Sequence, residues 1–364
     1  MIYLDYQATT PLAPEARDAM LRWLDGPGGT GFGNPHSPHR LGRQAAAAVE
    51  LARDRVAALF PAGGQVHFTS GATEALNMAL LGAEPAQSGK PVTISAIEHS
   101  AVYETAGQLP GTRHLIPVGK DGVIDSALTL PEDVGLVAVM QVNNEIGTIQ
   151  PLVEVVRKAR QAGALVVCDA VQAAGRIPIA HADFIAISAH KLHGPKGIGA
   201  LWVRDGVDIA PITFGGGQEG GLRSGTVSPA LCAGFGAAAK LALERMDADA
   251  EHIEALWARA LELFEGWTVN GSKDARWHGN LNLRRDGVDV SRLISDVRNV
   301  AFSAGSACAS TSGKPSRVLQ AIGLTDKQAA NSIRLGFGRY TSRADLEQAA
   351  AAIADGLAAQ DMTR

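Results

Sequence analysis

The chain predicts an α/β fold: a large domain on a mostly parallel, mixed sheet, followed by a smaller domain toward the C-terminus. Three observations predict it. Short apolar runs alternate with Ala-rich, helix-period segments through the first two thirds of the chain, the pattern of a parallel sheet with crossover helices. Several of the runs stop on polar residues: Thr69 and Ser70, Glu98 and His99, Asn143 and Asn144, Asp169, and Ser188. At 364 residues the chain also exceeds what one hydrophobic core usually serves, which implies two domains.

In order, the strand candidates are residues 65–69, 92–96, 135–141, 164–169, 184–188 and 200–203. The helix candidates are 40–59, 72–81, 152–161 and a long stretch from 230 to about 264. The large domain is placed at 13–245. The smaller one takes 246–364 together with the opening segment 1–12, which is extended, turn-rich and able to pack against either domain. It carries a strand at 279–283, a helix from about Ser291 and a helix from Arg343. The Gly-rich stretch 214–221 reads as a loop that moves. In sheets of this kind ligands gather beyond the carboxyl ends of the strands, so the polar stops share one rim.

Composition excludes several function classes. Hydrophobic residues make up 46% and charged residues 19%, an ordinary globular balance. A formal net charge of -4 and the lack of a Lys/Arg run argue against nucleic acid as a partner. No apolar stretch suits a bilayer, and the opening MIYLDY does not read as a secretion signal, so a cytoplasmic location is expected. Three cysteines without a CxxC pair indicate neither a disulfide framework nor a metal site. Cys168 and Cys232 lie in apolar runs and read as core residues. Cys308 differs, lying in the small, polar segment SAGSACASTSG at 303–313.

Four stretches carry chemistry. In TSGATE (69–74) a glycine between strand and helix lets a ligand approach the backbone, and Ala72 and Thr73 offer N–H groups at a helix N-terminus, a phosphate site or simply a capped helix. Asp169 closes an apolar strand, where a buried carboxylate needs a cation: a protonated ring nitrogen, or an ordinary arginine. Gln172 lies on the same side of the following turn and could hold a ring hydroxyl. In SAHKLHGPKGIG (188–199), Lys191 follows the strand directly, a partly desolvated amine suited to a Schiff base, with Ser188 and His190 beside it and Lys196 as the rival in a more flexible turn. His99 could stack on a planar group and shuttle protons, and Asn144 sits in a turn after its strand.

Taken together and in this order, these stretches resemble the fold-type I pyridoxal-phosphate enzymes of the class V aminotransferase superfamily, and within it the NifS/IscS-type cysteine desulfurases. The resemblance is carried by YLDYQATT (3–10), GNPH (33–36), TSGATE (69–74), EH (98–99), VNNEIG (142–147), DAVQ (169–172), SAHK (188–191), GPKGIG (194–199), RSGT (223–226), GSAC (305–308) and SIR (332–334). It spans nearly the whole chain. It implies pyridoxal 5'-phosphate as cofactor, L-cysteine as substrate, and alanine plus a persulfide on Cys308 as products. It implies that Lys191 carries the cofactor as a Schiff base, Asp169 meets the ring nitrogen, Gln172 the ring hydroxyl, and His99 the ring face and its protons. Ala72, Thr73, Ser188 and His190 would hold the phosphate, with Thr226 reaching it from a second subunit of a homodimer. Asn144 would lie beside cofactor and substrate, and Arg334 would clamp the substrate carboxylate with its planar fork. The persulfide would pass to an acceptor such as an iron–sulfur cluster scaffold. A selenocysteine lyase or other eliminating lyase would use the same cofactor machinery. A reading from another class is a sulfur-carrier or scaffold protein without turnover.

Overall fold

The computed structural model describes residues 1–305 and 315–362. Cys308 lies outside the described residues.

A seven-stranded sheet forms the centre of the larger part. In chain order its strands are β2 (Gly64–Thr69), β3 (Val92–Ser95), β4 (Arg113–Ile116), β5 (Leu136–Ala138), β6 (Leu165–Asp169), β7 (Phe184–Ser188) and β8 (Gly199–Arg204). Across the sheet they run β2-β8-β7-β6-β5-β3-β4, all parallel except β8, which is antiparallel to both neighbours. The strands β3, β5 and β7 are buried along their whole length, as expected when helices cover both faces.

Alternation along β6 and β7 sorts the residues between the two faces. Val167, Phe184 and Ala186 meet α3 (Ala72–Gln87) and α4 (Ser100–Ala106). Val166, Cys168, Ile185 and Ile187 meet α2 (Arg40–Ala57), α5 (Leu152–Gln161) and α6 (Pro229–Leu263). The helices supply the matching stripes. In α2 the buried residues are Gly42, Ala45, Val49, Ala52 and Val56, spaced three and four apart on one face. Cys168 and Cys232 are both fully buried in this core, and burial pushes the Cys232 thiol up to about 12.

The C-terminal part holds a four-stranded antiparallel sheet of β9 (Thr268–Val269), β10 (Asn280–Arg284), β12 (Ser303–Ala304) and β13 (Ser332–Gly336), in the order β12-β13-β10-β9. The opening β1 (Ile2–Tyr3) pairs in parallel with β11 (Val300–Ala301). The 35-residue helix α6 is continuous across residue 246, so the expected division falls inside one helix.

Several boundaries differ from the sequence reading. The helix expected over 72–81 continues to Gln87, through Gly82 and Pro85. The strand expected at 135–141 shortens to Leu136–Ala138, although the N–H groups of Val139 and Gln141 still donate to the Val167 and Asp169 carbonyls. Edge strand β4, with two of its four residues exposed, gives no apolar run to detect, and α1 (Pro14–Leu21) buries only Ala16 along its length.

Candidate active site

The rim expected from the strand ends is real in geometry. β2, β3, β5, β6 and β7 point the same way, and the residues after each one meet in a cleft of about 570 Å³. Ala72, Thr73, His99, Asn144, Asp169, Gln172, Ser188, His190, Lys191 and Arg334 all line it. Thr226 does not line it and is exposed on this chain.

One end could hold an anion. Gly71 begins α3, and no partner among the described residues takes the N–H of Ala72, Thr73 or Glu74. A Cβ built on Gly71 would meet only the Ser188 hydroxyl, at 3.8 Å, so the glycine leaves an open cradle before the helix. A Cβ on Gly199 would press within 2.7 Å of Gly71, which is why β8 must begin on a glycine for the helix start to sit this close. Glu74, the one acid here, is already paired with Arg223 at 2.8 Å. His190 shares a hydrogen bond with the Thr9 hydroxyl at 3.1 Å; burial, helped by Lys191 and Lys196, pushes its pKa down to about 4. It therefore offers a neutral imidazole at pH 7.

The floor is different in character. Asp169 closes β6, and its Oδ1 accepts the Val171 N–H at 2.9 Å, while no donor among the described residues reaches Oδ2. Burial raises its pKa, opposed by the His99 imidazole, the Val171 N–H and Lys191. A cation placed at Oδ2 would favour the charged form. Behind it, Glu98 accepts the Met140 N–H on Oε1 at 2.7 Å, no partner among the described residues reaches Oε2, and burial drives the carboxyl well above the usual range. His99 caps α4 by accepting the Ala101 N–H on Nδ1 at 3.1 Å. In the neutral ring the proton therefore sits on Nε2. Burial lowers its pKa, with Asp169 opposing.

Lys191 ends a short turn of 3₁₀ helix directly after β7, and its ammonium donates to the carbonyls of Gln7 and, at 2.8 Å, Ala8. Burial lowers its pKa to about 8, with Arg176 and Arg334 adding repulsion and Asp169 and Asp5 opposing. An amine near 8 has a sizeable neutral fraction at pH 7, as a nucleophile requires. Lys196 also lines the cleft but is exposed. Gln172 donates from Nε2 to the Gln7 carbonyl at 3.0 Å and accepts from Arg176 on Oε1.

Arg334 enters from β13 of the other sheet. It is only 1% exposed, donates to the Asn144 carbonyl at 3.0 Å and pairs with Asp5 at 2.8 Å, while its buried Nε has no partner among the described residues. The opening segment thus touches both Lys191 and Arg334, packing against both parts of the chain. Asp5, Gln7 and Ala8 had no assigned role in the sequence reading. Two of the three act through backbone carbonyls, which leave no mark on residue type.

Beside Asn144, the buried Glu145 accepts the Ser316 hydroxyl at 2.5 Å, and burial raises its pKa to about 6 from the usual 4.5. Between these values the native chain keeps a proton that the unfolded chain has released, so stability falls as pH rises through that window. The full difference is about 2 kcal/mol. Urea unfolding of Glu145→Gln at several pH values should show this slope removed; a slope equal to the parent's would contradict the assignment.

The family described as aminotransferase class-V matches residues 2–349. The chain is 40% identical over 368 residues to the cysteine desulfurase IscS of Rickettsia bellii (strain OSU 85-389), covering 96% of this chain and 89% of that one. Among solved structures, a NifS-like protein superposes with a TM-score of 0.89 at 30% identity, covering 98% of this chain and 99% of that one. SspA, solved in complex with cysteine, gives 0.82 at 30% identity over 94% of this chain and all of that one. The chain belongs to the class-V aminotransferase family, among its cysteine desulfurases.

Proposed function

We propose that the cleft seats pyridoxal 5'-phosphate and L-cysteine and that Cys308 receives the substrate sulfur. One observation carries the reading: an open helix N-terminus for an anion, a buried carboxylate with one oxygen that no donor among the described residues reaches, and a lysine of lowered pKa all line a single cleft. That set fits a phosphorylated, cationic ring bearing an aldehyde. Ala72 and Thr73 would take the phosphate through their N–H groups, with Ser188 and His190 as side-chain donors. Asp169 would face the ring nitrogen, Gln172 the ring hydroxyl, and His99 and Asn144 the ring and the substrate beside it. When bound, the cofactor supplies an electron sink for the substrate α-carbon.

The chain's own groups account for the remaining steps. Arg334 binds and orients the substrate carboxylate; its unpartnered Nε is a donor that such a ligand would satisfy. Lys191 is held by the Gln7 and Ala8 carbonyls when free, ready to move a proton at the α-carbon. His99 carries a proton on Nε2 toward the cleft. Cys308, as thiolate, attacks the substrate sulfur. An S–S bond forms as the C–S bond breaks, the C–S electron pair stays on carbon, and the protonated product leaves as alanine. The net change is cysteine plus one thiol to alanine plus one persulfide.

The exposure of Thr226 fits a residue serving a partner's cleft in a homodimer. We place the large cofactor-binding domain at 13–245 and the small domain, with the Cys308 segment, at 1–12 and 246–364. Among the described residues no helix is long and apolar enough to cross a membrane; we assign the protein to the cytoplasm, passing sulfur to an acceptor such as an iron–sulfur scaffold.

The test is to supply cysteine and a reductant to the full chain and to Cys308→Ala. The parent should yield alanine and sulfide in equal amounts, and the variant should bind cofactor but lose sulfide release by at least about 10²-fold. Undiminished turnover in Cys308→Ala would transfer the reading to an eliminating lyase.

A further inference from the structure

Arg176 stands behind the wall of the cleft and makes an unusual set of contacts. Its Nη1 donates to the Gln172 backbone carbonyl at 3.2 Å and to Gln172 Oε1; its Nη2 donates to the Lys191 carbonyl at 3.0 Å. Its guanidinium lies 5.9 Å from the centre of the Trp277 ring. No carboxylate among the described residues pairs with it. Arg176 is partly buried, and a guanidinium drawn partly out of water usually takes an acid as partner. This one takes carbonyl oxygens only, all from two residues that touch the cleft.

We propose that Arg176 is a positioning residue for the reaction: it fixes the Gln172 amide with its Nε2 edge toward the cleft and, as an uncompensated positive charge behind Lys191, favours that residue's neutral amine. The first half follows from donor chemistry. Arginine can only donate, so the amide oxygen must face it, which turns Nε2 toward Gln7 and leaves its second proton for an acceptor in the cleft. The second half follows from the charges around Lys191. Arg334 on β13 repels it, but Asp5 of the opening segment lies 2.8 Å from Arg334 and offsets that charge. Asp169 at the end of β6 attracts it. His99 before α4 and His190 beside it are held toward their neutral forms, and Lys196 is exposed. Arg176 is left as the cation near Lys191 with no acid of its own. After burial it is the largest influence lowering the amine.

This rests on Lys191 being the lysine that takes the cofactor, and the test keeps the two apart. The full chain, freed of cofactor with hydroxylamine, is labelled with acetic anhydride across a pH series, and modification of Lys191 is followed by peptide mass spectrometry. Arg176→Gln should move the midpoint up by about one unit, as expected for loss of a nearby like charge, whereas Arg176→Lys should leave it near the parent value. A midpoint unmoved in Arg176→Gln, or moved equally in both, overturns the charge role. On adding pyridoxal phosphate, Arg176→Lys should bind it several-fold more weakly and with a shifted visible band, because a lysine lacks the fork that fastens Gln172. Unchanged affinity and spectrum overturn the positioning role. If the parent takes up no pyridoxal phosphate, the reading of Lys191 fails while the labelling still reports on Arg176.

Discussion

Lys191→Ala loses at least about 10³-fold in kcat, the scale of removing a group that acts as both nucleophile and proton carrier. The amine lies in the cleft with Asp169, and its low pKa arises from burial and from Arg176 and Arg334. Lys196 also lines the cleft, but it is exposed and follows Pro195 in a turn. Lys196→Ala should therefore stay within about tenfold of the parent. Folding should survive in both variants. In Lys191→Ala the Gln7 and Ala8 carbonyls lose a donor, at a cost of about 1–3 kcal/mol. Steady-state kinetics on the pair, with thermal unfolding as control, reads the contrast. Equal losses in both variants would remove Lys191 from its role.

Arg334→Lys raises KM for cysteine by about 10- to 150-fold, the equivalent of one charge-assisted hydrogen bond at about 1.5–3 kcal/mol, with kcat falling less. The change keeps the charge and removes the planar fork. Two of the fork's nitrogens are already placed by Asn144 and Asp5, and the buried third has no partner among the described residues. A lysine reaching from β13 can satisfy one of these at a time. A variant that lowers kcat alone, with KM unchanged, would mean that Arg334 serves the chemical step and not the binding of the carboxylate.

The sequence made the strand-end residues legible because each lies at a junction of apolar run and polar stop. Asp169 and Ser188 end β6 and β7, His99 follows β3, and Ala72 opens α3, so their common rim follows from the parallel sheet alone. What could not be read is whatever acts through the backbone or across long separations. The carbonyls of Gln7 and Ala8 that hold Lys191 look like any others in the sequence. Asp5 and Arg334 stand 329 residues apart and meet only because Asp5 bridges to β13 at Gly336. Among the described residues, Glu98 and Arg176 gain their character from their surroundings: one carboxyl with an oxygen that no donor reaches, one guanidinium without an acid. The roles of Cys308 and Thr226 rest on the family pattern, since one lies outside the described residues and the other is exposed away from this chain's cleft.

The most direct test of the account is to incubate the full chain with pyridoxal phosphate, reduce with borohydride, digest, and locate the pyridoxyl group by mass spectrometry. The pyridoxyl group is expected on Lys191 alone, with the visible band lost on reduction. A pyridoxyl group on Lys196 in place of Lys191, or none on either, would contradict it.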